Sequence, residues 1–309
     1  MRLRKAGAEK LAVQALLFFV LPSPLIPAHC EKAFASGPKI ISASDKSAAR
    51  LSAVPRQWIV DIAANEIRAI QHKDSYLRYR MHTLDQKGDR VRDIVESRDG
   101  TVARLILKDG KPLTTEDDKA ERDRLSEMIA SPSQFNKHIH NDATGKQLAI
   151  DLIQLMPDAM LYTYTPGQPQ LEATRAAHQL VLDYAPNPNW SPPTTTAEAL
   201  TSLRGRMWID PNTHQLIRMD GDVFQGVNFG WGMLAHIYPG GKLSLNQVNP
   251  CGDRWIFNRF VEEVRVRALM LRTLNVNTTI EASAFQPLPG ATTYQDAIRL
   301  LLETSVATK

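Results

Sequence analysis

The sequence predicts an α+β fold: one strongly curved antiparallel sheet of about nine or ten strands with helices on one face. Three observations carry that expectation. Apolar and polar residues alternate with period two over two stretches, residues 76–107 and 203–285, and turn signals punctuate both. Prolines in the second stretch sit only at turns, as a meander requires. Helical spacing marks three other places, 55–72, 114–156 and the C-terminal 294–303; Val261 to Leu271 also fits a helix, but its β-branched residues and flanking strands favour a strand. No shift in composition divides the chain, so residues 55–309 read as one domain with a helical insertion at about 114–156.

Residues 36–54 are rich in Ser, Ala, Gly and Lys and read as a flexible leader. Pro55 suits the first turn of a helix. Ile59, Ile62, Ala63, Ile67 and Ile70 then recur on one face, with Asp61, Arg68 and His72 between them. This is an amphipathic helix that needs a surface to cover. In Tyr76 to His82 the apolar Leu77, Tyr79 and Met81 alternate with Arg78, Arg80 and His82, a half-buried strand. Gln86 to Asp89 is a turn, Val91 to Ser97 a second strand, Asp99-Gly100 a hairpin signal and Val102 to Leu107 a third strand. Thr115-Glu116-Asp117-Asp118 is a capping pattern with an acidic first turn. Ser131-Pro132 starts a second helix, whose stripe of Leu148, Leu152, Leu155 and Met156 is expected to end at Pro157.

Met160 to Thr165 and Gln179 to Tyr184 are the next strands, and the proline-rich run 186–193 is an extended loop. Residues 205–210, 215–220, 231–238 and 243–248 follow as strands. Residues 255–285 form two long ones, since β-branched residues dominate there. Tyr294 to Glu303 is a short helix. Gly226, Gly230 and Gly232 lack the spacing and context of a dinucleotide loop and mark sharp curvature instead.

The N-terminus has the order of parts of an export signal. Arg2, Arg4, Lys5 and Lys10 precede the apolar run Leu11 to Leu21, prolines 22, 24 and 27 follow, and Ala33-Phe34-Ala35 is a cleavage pattern. The run is shorter than the roughly 20 apolar residues a bilayer requires, which counts against an anchor that stays. Cleavage after Ala35 is favoured over acylation at Cys30, because His29 stands where a small residue is needed. The formal charge of +4 then changes meaning. Residues 1–35 carry five basic and two acidic side chains, leaving 32 basic and 31 acidic residues and a net charge of +1. A near-neutral exported chain excludes a large nucleic-acid footprint. Cys251, alone once Cys30 is gone, cannot form an internal disulfide and reads as a small buried hydrophobe.

Gly205-Arg-Met-Trp-Ile-Asp-Pro211 followed by Gln215-Leu-Ile-Arg-Met-Asp220 resembles the LolA/LolB-type lipoprotein carriers and the wider clan that includes RseB-like envelope-stress regulators. Thr213, Leu216 and Arg218 fit that family's strand–turn–strand pattern, and Gly240 to Gln247 with Asp253-Arg254-Trp255 resembles its later meander. The likeness covers residues 55–290; the insertion at 114–156 is longer than in compact carriers, and the 186–193 loop has no counterpart. The resemblance implies a half-open β-barrel of about 9–11 strands, with helices covering the concave face as a lid. It implies a periplasmic or secreted, non-enzymatic protein, peripheral to a membrane at most. Its cavity would bind lipid or the acyl chains of lipoproteins, each buried methylene contributing about 0.8 kcal/mol. Candidate cavity-facing residues are Leu77, Tyr79, Met81, Trp208, Trp231, Met233 and Phe257. The alternative is an envelope interaction or stress-sensing module that carries no ligand, with envelope proteins as partners.

Chemical constellations are sparse. His138-x-His140 with Asp142 has poor spacing for metal on a helix and reads as a polar face. His178, His214 and His236 are scattered, and nothing links them into a triad. No catalytic residue, metal or cofactor is expected. A hydrolase using the histidines is the outside alternative.

Overall fold

The computed structural model describes residues 54–71, 76–171, 178–229, 235–250, 254–268 and 272–303. The expected export signal, the expected leader up to residue 53, Cys30, Gly230, Trp231, Gly232, Met233 and Cys251 lie outside the described residues. The chain begins with helix α1 (Pro55–Gln71) and a meander of β1 (Leu77–Asp85), β2 (Gly88–Ser97), β3 (Gly100–Lys108) and the short β4 (Lys111–Pro112). Two helices follow, α2 (Thr115–Ala130) and α3 (Pro132–Ala159). The cap is Thr114, one residue before the expected Thr115: its side chain accepts the Asp117 N–H, and Thr115 is the first helical residue. Then come β5 (Met160–Tyr164), β6 (Leu180–Pro186), a 3₁₀ helix (Thr196–Ser202), β7 (Leu203–Asp210), β8 (Gln215–Val223), β9 (Val227–Phe229) and β10 (Ala235–Ile237). The chain continues with β11 (Lys242–Val248), β12 (Ile256–Ala268), β13 (Arg272–Pro287) and α4 (Tyr294–Glu303).

All of these strands join one 13-stranded antiparallel sheet. Its main path runs β4-β3-β2-β1-β13-β12-β11-β8-β7-β6-β5, and β9 and β10 extend from the end of β12. The expected curved, open sheet with helices is therefore what forms. It has more strands than the alternation resolves because β4 and β9 span two or three residues, too short to show a period; the strand read at 231–238 is described as β10 over Ala235–Ile237. Two local expectations differ. Helix α3 runs through Pro157 to Ala159, since a proline this close to a helix end removes one hydrogen bond and breaks little else. The stretch after the proline-rich loop adds the 3₁₀ helix, which buries Ala197, Ala199 and Leu200.

The last strand, β13, pairs with the first, β1, which stitches the two meanders into one sheet. The two edges, β4 and β5, lie at opposite ends of the path, and α2–α3 is the connection between them. The chain must therefore cross the sheet to continue. The 28 residues of α3 supply about 40 Å of that crossing.

The main core lies on the face covered by α1 and the C-terminal half of α3, called the inner face below. There Trp58, Ile59 and Ile62 of α1 and Leu152 and Met156 of α3 pack against Leu77, Tyr79, Met207, Leu245 and Phe260 of the sheet. Helices do not keep to that face alone. On the opposite face of β2 and β3, Val95 and Val102 pack with Leu125 of α2, Phe135 at the start of α3 and Ile298 and Leu301 of α4. The fully buried Arg104 fastens this second layer, donating to the Leu301 carbonyl and to Asp118, each at 2.7 Å. A cation at a helix C-terminus complements the helix dipole.

The exposed edge of β3 is closed by side chains. Leu105 N–H donates to Glu121, Arg124 donates to the Ala103 carbonyl, and His138 Nε2 donates to the Thr101 carbonyl at 2.9 Å. These three bonds blunt a row of main-chain groups that would otherwise template another strand. On the inner face Gly205 and Gly221 pair directly across β7 and β8. The Tyr184 ring crosses this glycine pair, and its hydroxyl donates to the Asp220 carbonyl at 3.0 Å. A Cβ at Gly205 would stand 1.9 Å from that carbonyl oxygen and 2.7 Å from the Tyr184 hydroxyl. Gly205→Ala is expected to lower unfolding stability by roughly 2–4 kcal/mol, because the strands must separate to admit the methyl group. Urea denaturation checks this, and a change within about 0.5 kcal/mol would contradict the close approach.

Candidate functional site

The candidate site is the crevice between α1, α3 and the strands β7 and β8. Helix α1 presents Ile59, Ile62, Ala63 and Glu66 to it, α3 presents Ile153 and Met156, and the sheet presents Met207, Leu216 and Met219. Helical spacing puts the four α1 residues on one stripe, and strand alternation puts Met207 and Met219 opposite each other on the inner face. The enclosed volume is about 20 Å³, room for roughly one water molecule. Three methionines make its walls adaptable, since an unbranched thioether repacks at low cost.

Polar contacts fasten α1 over this crevice. Arg56 pairs with Asp158 near the end of α3. The Trp58 indole N–H donates to the Tyr164 hydroxyl at 3.2 Å. Asp61 bonds His214 Nδ1 at 2.7 Å, and the Asn65 amide donates to the His214 carbonyl at 2.9 Å. Trp58 also packs its ring against the His214 imidazole, with centroids 4.6 Å apart. The β7–β8 turn thus holds α1 along its length. Deeper in, the Gln247 amide donates to Glu66 Oε2 at 2.9 Å.

Three polar groups on the inner face differ from the rest of the core. Burial pushes the Glu66 carboxyl up to about 7, with the Gln247 hydrogen bond only partly opposing it. Burial pushes Glu262 up to about 8; it is 1% exposed, and neither carboxyl oxygen has a hydrogen-bond partner. Gln247 is 8% exposed, and its Oε1 has no partner. The contrast is Glu96, also buried, which accepts the Leu77 N–H and two bonds from Arg254 at 3.2 and 3.3 Å. That ion pair is satisfied, whereas Gln247 Oε1 and both Glu262 oxygens are not.

The proposed cavity residues fall in different places. Leu77, Tyr79 and Phe257 are buried in the inner-face core, and Met81 packs half-buried against it. Trp208 belongs to the opposite face, in a small cluster with Val181 and Ile217. Its indole N–H donates to the Pro169 carbonyl at 2.8 Å, and the Arg218 guanidinium lies over its ring. Plain alternation along β7 turns Trp208 outward between the inward Met207 and Ile209, and the bulge opposite it lies in β8, where Ile217 is the extra residue. None of these candidates lines the crevice. Two buried-side acids were signalled in the sequence by register: Glu66, which lines the crevice, stands four residues after Ile62 on the apolar stripe, and Glu262, away from the crevice, occupies an inward position between Phe260 and Val264.

Two larger hollows lie elsewhere. A trough of about 780 Å³ on the outer face is floored by opposed charges, with Asp183 on Arg206 at 2.7 Å and Arg218 on Asp220 at 2.9 Å. Such cross-strand pairs make a solvated, nearly neutral surface. A cleft of about 620 Å³ lies between the end of α1, the β2–β3 turn and α3, where Lys146 pairs with Asp142 at 2.8 Å. Among the described residues no three His, Cys, Asp or Glu side chains gather as a metal site, and no described helix is long and apolar enough to cross a membrane.

No protein-family model matches the chain, and no curated protein matches it. Among solved structures the chain is similar to a DUF1329 family protein from Desulfovibrio piger, at 12% identity and a TM-score of 0.28. That alignment covers 76% of this chain and 93% of the other.

The buried carboxyl of α1 gives a pH dependence with a definite sign. With α1 docked, Glu66 binds its proton up to about 7; released into water, it would lose that proton near the ordinary 4.5. Docking is therefore strongest below 4.5, weakens as the pH rises through 7, and changes no further above that, a span of about 3 kcal/mol. Glu66→Gln is expected to flatten this part of the stability–pH curve between pH 5 and 8. Equal slopes for the variant and the wild-type chain in urea titrations would contradict it.

Proposed function

We propose that the protein is exported and binds the acyl chain of a lipid or lipoprotein, without catalysis, between α1 and the inner face of the sheet. The observation that carries this reading is the methionine-walled crevice beneath a helix fastened at its margins by polar contacts. The order of charged, apolar and small residues in 1–35 supports export.

The energetics permit an exchange. A dozen methylenes entering the inner face would gain about 10 kcal/mol gross. Displacing α1 would expose Trp58, Ile59 and Ile62, each worth about 1.5–3 kcal/mol. The two quantities are of the same order, so a chain can replace the helix on the surface it now covers. The ligand-free crevice would then be closed and would open on binding, and the methionines Met156, Met207 and Met219 would adapt to the chain.

One observation favours a second reading, an envelope interaction or stress-sensing module without cargo. The inner face is filled by the protein's own side chains, leaving about 20 Å³. Native mass spectrometry of gently purified mature protein, with uptake of a fluorescent fatty acid, separates the two. The carrier reading expects saturable uptake, and expects Met219→Trp to abolish it by filling the crevice while the variant still melts cooperatively. Lipid-free mass peaks together with no saturable uptake would leave the module reading in its place.

A further inference from the structure

We infer that the ligand's head group is a hydrogen-bond donor, an amine in the first instance, received by Glu66 and Gln247 at the crevice under α1. The inference rests on the acyl-chain reading and deepens it, since it names the chemistry at the polar end of the chain.

The argument starts from what the inner face lacks. Gln247 is 8% exposed, its Nε2 is committed to Glu66 Oε2 at 2.9 Å, and its Oε1 has no partner. An amide oxygen can only accept, and beside an ionised Glu66 this one meets no protein donor, so a donor group arriving with a ligand would satisfy it. On the neighbouring strand Glu262, 1% exposed, also leaves both carboxyl oxygens without a partner. Glu262 pairs with Leu243, four residues from Gln247 along β11, so the two acceptor groups are roughly 13 Å apart. A buried acceptor without a donor is costly, and a fold retains such groups where a ligand completes them.

Glu66 settles which head group fits. Around it the crevice is apolar, made by Ile59, Ile62, Ile153 and the methionines, so a chain has its place there. An ammonium at the polar end would pair with the ionised Glu66 carboxylate and donate a second bond to Gln247 Oε1. Both acceptors would then be satisfied by a group with three donors. A carboxylate or phosphate head would face an amide oxygen and a second acid, and would bring no donor to either. A hydroxyl head would satisfy one acceptor and falls between the two.

The test displaces a bound uncharged reporter, N-phenyl-1-naphthylamine, with three probes of equal chain length used as monomers: dodecylamine, dodecanol and dodecanoate. The expected order is dodecylamine tightest, with an advantage of about tenfold over dodecanoate. Glu66→Gln should bring that ratio close to one while dodecanol is little changed. Gln247→Met, which removes the amide without adding a charge, should reduce it in the same direction and guards against a folding defect in the first variant. Displacement by all three probes with no preference for the amine, or a preference that survives both substitutions, overturns the head-group inference alone. Failure of the reporter to bind, or of every probe to displace it, overturns the chain-binding reading beneath it.

Discussion

An open antiparallel sheet with one strongly apolar face cannot stand uncovered, and most of the architecture follows from how this chain covers it. The main path ends in β4 on one side and β5 on the other, and the two do not pair. Closure into a barrel would have removed the problem. Here the helices solve it, because α2 and α3 connect the two edges in sequence and α3 must run over the inner face to do so. Helix α1 covers the region over β7 and β8 that α3 leaves open, and the β7–β8 turn fastens it. The edge at β3 is closed by Glu121, Arg124 and His138, and β4 ends its pairing at Pro112.

Polar groups inside this arrangement divide into two kinds. Glu96 with Arg254, and Arg104 with Asp118 and the Leu301 carbonyl, join segments distant in sequence, and each carries its hydrogen bonds within the fold. Removing one partner of such a pair leaves a buried charge, which is why they read as fasteners. Glu66, Gln247 and Glu262 fasten much less. Glu66 lies among aliphatic side chains with Gln247 as its partner, and Gln247 Oε1 and both Glu262 oxygens are buried acceptors left unmet. A lid whose underside carries a costly carboxyl is closer in energy to its open form than an all-apolar one would be.

Most of the secondary structure is legible in the sequence, for physical reasons visible in particular elements. Pro55 and the isoleucine stripe mark α1, the Asp99-Gly100 signal marks the β2–β3 hairpin, and β-branched alternation distinguishes β12 from a helix. What is not legible is local or long-range. The strands β4 and β9 are too short to carry a period, and the 3₁₀ helix follows a proline-rich run that masks it. Alternation gives parity but not which parity faces inward, and the bulge at Ile217 changes parity within β8. Trp208 is a cavity candidate on the sequence, whereas in the fold its neighbour Met207, on the other face of β7, reaches the crevice. The charges at Glu66 and Glu262 interrupt apolar registers and were readable on that ground, but their missing partners are a property of the assembled fold.

The account depends on α1 being a cover that can leave the sheet while the sheet stays folded. Native-state hydrogen exchange addresses this most directly, since it reports the opening free energy of each amide. The account predicts that α1 amides exchange through a local opening, at a free energy clearly below that of β7, β8 and β12, and that strand protection is unaffected by it. If α1 amides exchange only with the global unfolding that releases those strands, the helix is an inseparable part of the core and the account is contradicted.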